Sequence, residues 1–186
     1  MRIGLISDTH IPGGAMEVPP QVGRAFEGVE LILHSGNIYE PAVLDWLERI
    51  APIKAAGSVD RDHRCMSDSR VSEAQLLEVE GHSLGVIHDL IVPGISGDVY
   101  PGTIEAYFPS NRSFPVAIEE KFGKAVDIVV FGHSCRAMVE EHDGVLLINP
   151  GSPTLRNQLR KIGNVAVLEL TRERREVKFF DLADLS

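Results

Sequence analysis

Short apolar runs, each closed by a polar, turn-like cluster, set the rhythm of this chain. They cover Ile3 to Ser7, Val29 to His34, Ile53 to Ala56, Asp127 to Phe131 and Leu146 to Ile148. Such runs, apolar throughout and not alternating, predict strands buried on both faces. Between them Glu40 to Ile50 predicts a helix, with Val43, Leu44, Trp46, Leu47 and Ile50 at near-helical spacing and Pro41 near its start. Pro19 to Phe26 and Pro115 to Phe122 are weaker helical patterns. Gln75 to Glu80, Gly81-His82 and Ser83 to His88 predict a β-hairpin. Asn164 to Leu170, a charged turn at Thr171 to Arg175, and Val177 to Phe180 predict another. The pattern describes an α/β fold, a layered sandwich with an antiparallel portion. One stretch resists it: Ile91 to Phe114 is rich in Gly, Pro, Ser and Tyr and has no clear period. A stretch this long is a solvent-exposed loop or a lid over a site.

Composition narrows the function classes. The chain has 186 residues, 44% apolar and 24% charged, enough to bury a core without staples and too apolar for disorder. Its 18 basic and 27 acidic residues give a formal charge of −9. That balance argues against broad nucleic-acid binding and against an anionic membrane surface, both of which need clustered Lys and Arg. Cys65 and Cys135 are far apart, which fits free thiols in a reducing compartment. Asp8 breaks the first apolar run too soon for a signal peptide, and no run is long enough to span a bilayer. A cytoplasmic location is the expectation.

The chemistry lies behind the strands. The clusters read Ser7-Asp8-Thr9-His10, His34-Ser35-Gly36-Asn37, Gly57-Ser58-Val59-Asp60, His88-Asp89, Gly132-His133-Ser134-Cys135 and Asn149-Pro150-Gly151-Ser152. Donors at the carboxyl ends of neighbouring strands converge in space, where open α/β folds place ligands. Each cluster alone is weak; Gly36-Asn37, for example, reads more readily as a turn. The six in order, rich in oxygen, imidazole and thiol, point to a metal site.

With these clusters the sequence resembles the calcineurin-like metallophosphoesterases, especially the small single-domain phosphodiesterases of bacteria and archaea. It is similar also to their non-catalytic relative, the metallophosphoesterase-fold subunit of the retromer sorting complex. The resemblance implies one metallophosphoesterase-like domain over residues 1–186 and a four-layer α/β/β/α sandwich. It implies a site for one or two divalent ions (zinc, manganese, nickel or iron) at the sheet edge. Asp8 and His10 match the family's first-metal ligands, His88 the single His of the second metal, and His133 the first His of Gly-His-x-His. Asn37 stands at the bridging Asp, Ser58 at the Asn of Gly-Asn, and Cys135 at the second His. Val59 replaces a His that protonates the leaving group in many relatives, leaving His63 or His34 as substitutes if geometry allows.

The implied activity is phosphodiester hydrolysis by a metal-activated water, with His88, His133 and Asn37 as catalytic residues, on a small phosphorylated substrate. The altered ligands imply reduced turnover, and a weak or inactive binding protein on the same fold is the alternative. Asp8, His10 and Cys135 with Asn37 or water make a plausible zinc set; His88, His133 and Ser58 are neutral, with Asp89 a late recruit. The first position is therefore expected to bind tightly and the second weakly or not at all. Gly151, Ser152 and Arg156 are expected to contact substrate, with Arg136 and Arg160 as further candidates. A homo-oligomer is left open.

Overall fold

Two stacked sheets, each carrying helices on its outer side, bury the apolar runs on both faces. The computed structural model describes residues 1–185. In the first sheet β1 (Arg2–Ile6), β2 (Leu31–His34), β3 (Ile53–Ala56) and the short β4 (Val71–Ser72) run parallel. β12 (Asn164–Thr171) and β13 (Arg174–Asp181) extend it antiparallel on the β1 side. In the second sheet β6 (His82–Ile87), β7 (Ile128–Val130) and β9 (Val145–Asn149) are parallel. β5 (Ala74–Val79) and β8 (Met138–His142) are its antiparallel edges. A separate two-stranded ribbon pairs β10 (Leu155–Arg156) with β11 (Leu159–Arg160).

Successive strand residues point to opposite faces, which sorts the apolar side chains into three cores. Ile3, Leu5 and Leu33 of the first sheet meet Leu84, Ile128, Val130 and Ile148 of the second. On the first sheet's outer face, Ile32, Ile53 and Ala55 pack on Val22 of α1 (Gln21–Ala25) and on Val43, Leu44 and Leu47 of α2 (Pro41–Glu48). On the second sheet's outer face, Val129 and Leu147 pack on Ala117 and Ile118 of α4 (Phe114–Phe122). The outcome is the expected α/β/β/α order of layers.

Three stretches differ from the sequence pattern. The first hairpin turns at Glu80-Gly81, one residue early, because both residues take positive φ (53° and 84°) and so make the tight two-residue turn that strand twist favours. Asp143-Gly144 makes the same turn between β8 and β9 (φ 49° and 86°), and the polar edge strand β8 was not anticipated. Finally, 91–114 is not a fully solvated loop. It contains α3 (Thr103–Tyr107) and buries Val92, Val99 and Ile104 in the outer core of the second sheet.

Register levels the strand ends. Ile6 pairs with His34 and His34 with Ala55, while Val86 pairs with Val130 and Val130 with Ile148. The polar clusters after β1, β2, β3, β6, β7 and β9 therefore share one edge of the sandwich.

Candidate metal centre

At that edge the backbone is forced into an uncommon conformation. Asp8, His10, Asn37, Tyr39, His133 and Cys135 all have positive φ, between 47° and 72°, as three i, i+2 pairs behind β1, β2 and β7. Left-handed backbone costs a non-glycine residue roughly 1–2 kcal/mol, and strain of this kind gathers at functional sites. Two glycines permit the close approach. A Cβ on Gly36 would lie 2.5 Å from the His88 ring, and one on Gly132 would lie 2.7 Å from the Ser35 carbonyl and 2.9 Å from Asp8 Oδ2.

The ligand atoms of Asp8, His10 and Cys135 all lie within 4.8 Å of one another. Asn37 Nδ2 donates to Asp8 Oδ1 at 2.8 Å and approaches His10 Nε2 at 3.3 Å, while His10 Nδ1 meets the Tyr39 hydroxyl at 2.7 Å. These contacts fit one tautomer, with the proton on Nδ1 and the Nε2 lone pair facing the cluster. Burial would raise the Asp8 carboxyl, but the neighbouring His10, His88 and Asn37 side chains outweigh it and hold the group below its ordinary value. Burial and the Asp8 charge push the Cys135 thiol up, so without a cation it stays protonated and turns toward the His133 carbonyl at 3.7 Å.

His88 and His133 stand edge to face with ring centroids 5.6 Å apart. His88 Nδ1 donates to the Ser35 carbonyl at 2.8 Å, which leaves Nε2 as the free lone pair. His88 Nε2, His133 Nδ1, Asp8 Oδ2 and Asn37 Oδ1 are buried without a hydrogen-bond partner among the described residues. Leaving one buried acceptor unsatisfied costs about 1–3 kcal/mol, and unpaired groups are rare in folded proteins. The four unpaired atoms lie on the three neighbouring turns that bear Asp8, Asn37 and His133 and just after β6, and all four can serve as donors to a cation. The donor set fits a divalent ion. Asp89, Asp98 and His133 form a second, more exposed cluster beside it.

Other sequence candidates have different work. The Ser58 hydroxyl accepts the Arg61 N–H at 3.3 Å and lines a cleft of about 220 Å³ with Val59, His88 and Asp89. Gly151 and Ser152 are engaged inside the protein. Both are buried, the Gly151 carbonyl accepts the Ser7 hydroxyl at 2.7 Å, and the Ser152 hydroxyl donates to the Asp8 carbonyl at 2.7 Å. They brace the β1 turn from behind. Arg156 is tied to Asp181 at 2.6 Å, Arg160 lines a separate cleft with Pro19 and Lys161, and the Arg136 guanidinium lies over the Tyr100 ring at 5.3 Å. His34 cannot act as a general acid. It is fully buried, Nδ1 accepts the Gly36 N–H, and burial pushes its pKa down to about 4. His63 is exposed and belongs to neither ligand cluster.

Besides Tyr39, the sequence reading missed Asp62 and Arg61. The buried Asp62 carboxylate accepts four backbone N–H groups, from Asn37 (3.2 Å), Ile38 (2.6 Å), Tyr39 (3.1 Å) and Ser58 (3.0 Å), and thereby locks the β2 turn to the β3 turn. Arg61 lines a cleft of about 290 Å³ with His10, Asn37, His133 and Cys135, and it has no ion-pair partner among the described residues.

A layered sandwich with imidazole, carboxylate and thiol converging on the ends of its parallel strands defines a metallophosphoesterase-type protein. Residues 1–173 match the calcineurin-like phosphoesterase superfamily domain, and the chain belongs to that superfamily. It is 35% identical over 156 residues to a probable metallophosphoesterase of Methanothermobacter thermautotrophicus, covering 83% of this chain and 78% of that protein. Among solved structures it is similar in fold to an archaeal phosphodiesterase (TM-score 0.64, 21% identity, covering 97% of this chain and 100% of the other). It is similar also to the zinc complex of Vps29 from Entamoeba histolytica (TM-score 0.64, 17% identity, covering 98% and 99%). No helix among the described residues is long and apolar enough to cross a membrane.

Proposed function

We propose that this protein hydrolyses phosphodiesters with a divalent metal held by Asp8, His10 and Cys135, and a second, weaker position at His88 and His133. The observation that carries this reading is the set of four buried, unpaired acceptors: Asp8 Oδ2, Asn37 Oδ1, His88 Nε2 and His133 Nδ1. A divalent ion bound there supplies Lewis-acid activation of water and positive charge for the phosphoryl oxygens. The protein's own residues do the rest. Tyr39 and the Ser35 carbonyl hold the His10 and His88 rings so that their Nε2 lone pairs face inward. Arg61 offers an uncommitted guanidinium to a phosphate oxygen, a charge-assisted contact. Separate clefts open beside Arg61 and beside Val59, giving room for two ester arms; that favours a diester over a monoester. Exposed Val59 offers no proton, so a good leaving group is preferred.

Asn37 favours the second reading, a binding module with little turnover. Its N–H occupies lone pairs of Asp8 and His10 that a metal needs. The magnitudes favour the metal. Hydrogen bonds to charged groups contribute about 1.5–3 kcal/mol net, whereas structural zinc binding is worth about 10–16 kcal/mol in small peptides. The test is an assay against an aryl phosphodiester and a monoester with manganese, nickel and zinc, beside Asn37→Asp. The enzyme reading expects diester turnover that rises in Asn37→Asp. No turnover in either protein with any metal favours the binding module.

A further inference from the structure

The segment 91–114 brings an acidic side chain to the site that family resemblance does not assign. Asp98 Oδ1 lies 3.4 Å from His133 Nε2, an ion-pair distance roughly half an ångström longer than a relaxed N–H···O bond. The other imidazole nitrogen, Nδ1, is buried and unpaired. A carboxylate on Nε2 keeps the proton there and turns the Nδ1 lone pair inward, the relation that orients ligating histidines in metal sites generally.

Asp98 is itself held. Its Oδ2 accepts the Tyr100 hydroxyl at 3.2 Å, and the Tyr100 ring lies under the Arg136 guanidinium. Val92 and Val99, on either side of it in sequence, are buried at 1% and 3% exposure, and the Gly102 N–H donates to Glu140 at 2.7 Å. The strap is therefore anchored by its apolar residues, with the carboxylate at its exposed apex. Gly97, at φ +89° with nothing within 4 Å of a would-be Cβ, supplies the turn before it. The other histidines have neutral partners, the Tyr39 hydroxyl for His10 and the Ser35 carbonyl for His88. His10 Nε2 faces the Asp8 carboxylate at 3.5 Å from inside the cluster, whereas His133 faces a carboxylate from outside it.

We propose that Asp98 is the positioning residue of His133: it acts through the imidazole, fixing its orientation and tautomer for the weaker metal position. The proposal rests on the metal-centre reading above, which places an ion at His133.

Calorimetric titration of manganese into the purified chain tests it without reference to turnover. Asp98→Ala should weaken the weaker binding step 10–100-fold, the usual effect of removing a histidine's orienting partner. Asp98→Asn, whose carbonyl still accepts the Nε2 proton, should lose only a few-fold. In a His133→Ala background, Asp98→Ala should cost nothing further, because its route to the metal is gone. Unchanged affinity in Asp98→Ala overturns the proposal. So does equal loss in Asp98→Asn and Asp98→Ala, or loss that persists without His133, since either result makes Asp98 a direct ligand. A wild-type chain with one binding step and no second overturns the proposal while leaving the metal-centre reading standing. A chain that binds no manganese or zinc overturns both.

Discussion

The two halves of the site are satisfied in different ways. Around Asp8 the side chains pair with one another, leaving Asp8 Oδ2 and Asn37 Oδ1 over: Asn37 Nδ2 serves Asp8 and His10, Tyr39 meets His10, and the Cys135 thiol turns to the His133 carbonyl. Around His88 and His133 the contacts run outward, His88 Nδ1 to the Ser35 carbonyl and His133 Nε2 facing Asp98, and the inward nitrogens are unpaired. The difference shows what Asn replaces at a bridging position. A second carboxylate beside Asp8 would repel it in the empty protein; an amide N–H attracts it. Asn37 thus steadies the metal-free first half by standing where positive charge belongs, and it gives up the charge that would join the two halves.

Asp62→Ala should have the largest effect, because it removes the clamp between the β2 and β3 turns. Four buried N–H groups would lose their acceptor, and urea denaturation should show a loss of about 3 kcal/mol or more. A loss below about 1 kcal/mol would mean the β2 and β3 turns hold themselves. Next is acid sensitivity from His34, which is buried between the halves. Its folded pKa, about 4, lies below the unfolded value of 6.5, so the unfolded chain binds more protons in that window. Stability should be full above pH 6.5 and fall as pH drops toward 4, on the order of 2–3 kcal/mol, in denaturation of metal-free protein. His34→Gln should flatten the slope.

Asn37→Asp should reverse the balance of the comparison. Without metal it should unfold at lower urea, by about 1–3 kcal/mol, since the N–H pairing is lost and a like charge gained. With manganese its melting temperature should rise more than that of the wild type. The smallest effect belongs to Arg61→Ala, which touches only the open cleft. It should raise KM for the diester about tenfold, equal to roughly 1.4 kcal/mol, with little change in kcat. A fall in kcat at constant KM would put Arg61 on the transition state instead.

Much of this was legible in the chain. β1, β2, β3 and β9 stood out because strands buried on both faces cannot alternate, and α2 because Val43, Leu44 and Leu47 share one face. The ligand turns were legible for a related reason: a turn needs Gly, Asn or Asp, but it has no need of imidazole and thiol behind strand after strand. β8 was missed although Asp143-Gly144 carried a hairpin signal, because its own residues alternate between buried and exposed with charge on the open side. α3 has five residues after a glycine, too short for a period to show. Asp62, Tyr39 and Asp98 left no local trace. Apart from the Ser58 N–H that Asp62 accepts four residues back, each acts across 23 to 35 residues of sequence on a partner that only the tertiary fold brings near. The arginines misled for the same reason: Arg156 was free on paper and is paired with Asp181 in space.

Whether Asp8, His10 and Cys135 form a metal position tighter than the one at His88 and His133 is decided by metal content. The chain should be loaded with excess zinc, dialysed exhaustively, and its metal counted per polypeptide. One equivalent should be retained by the wild type, and none by Asp8→Ala. Two tightly held equivalents in the wild type, or one that survives Asp8→Ala, would contradict the unequal pair of positions.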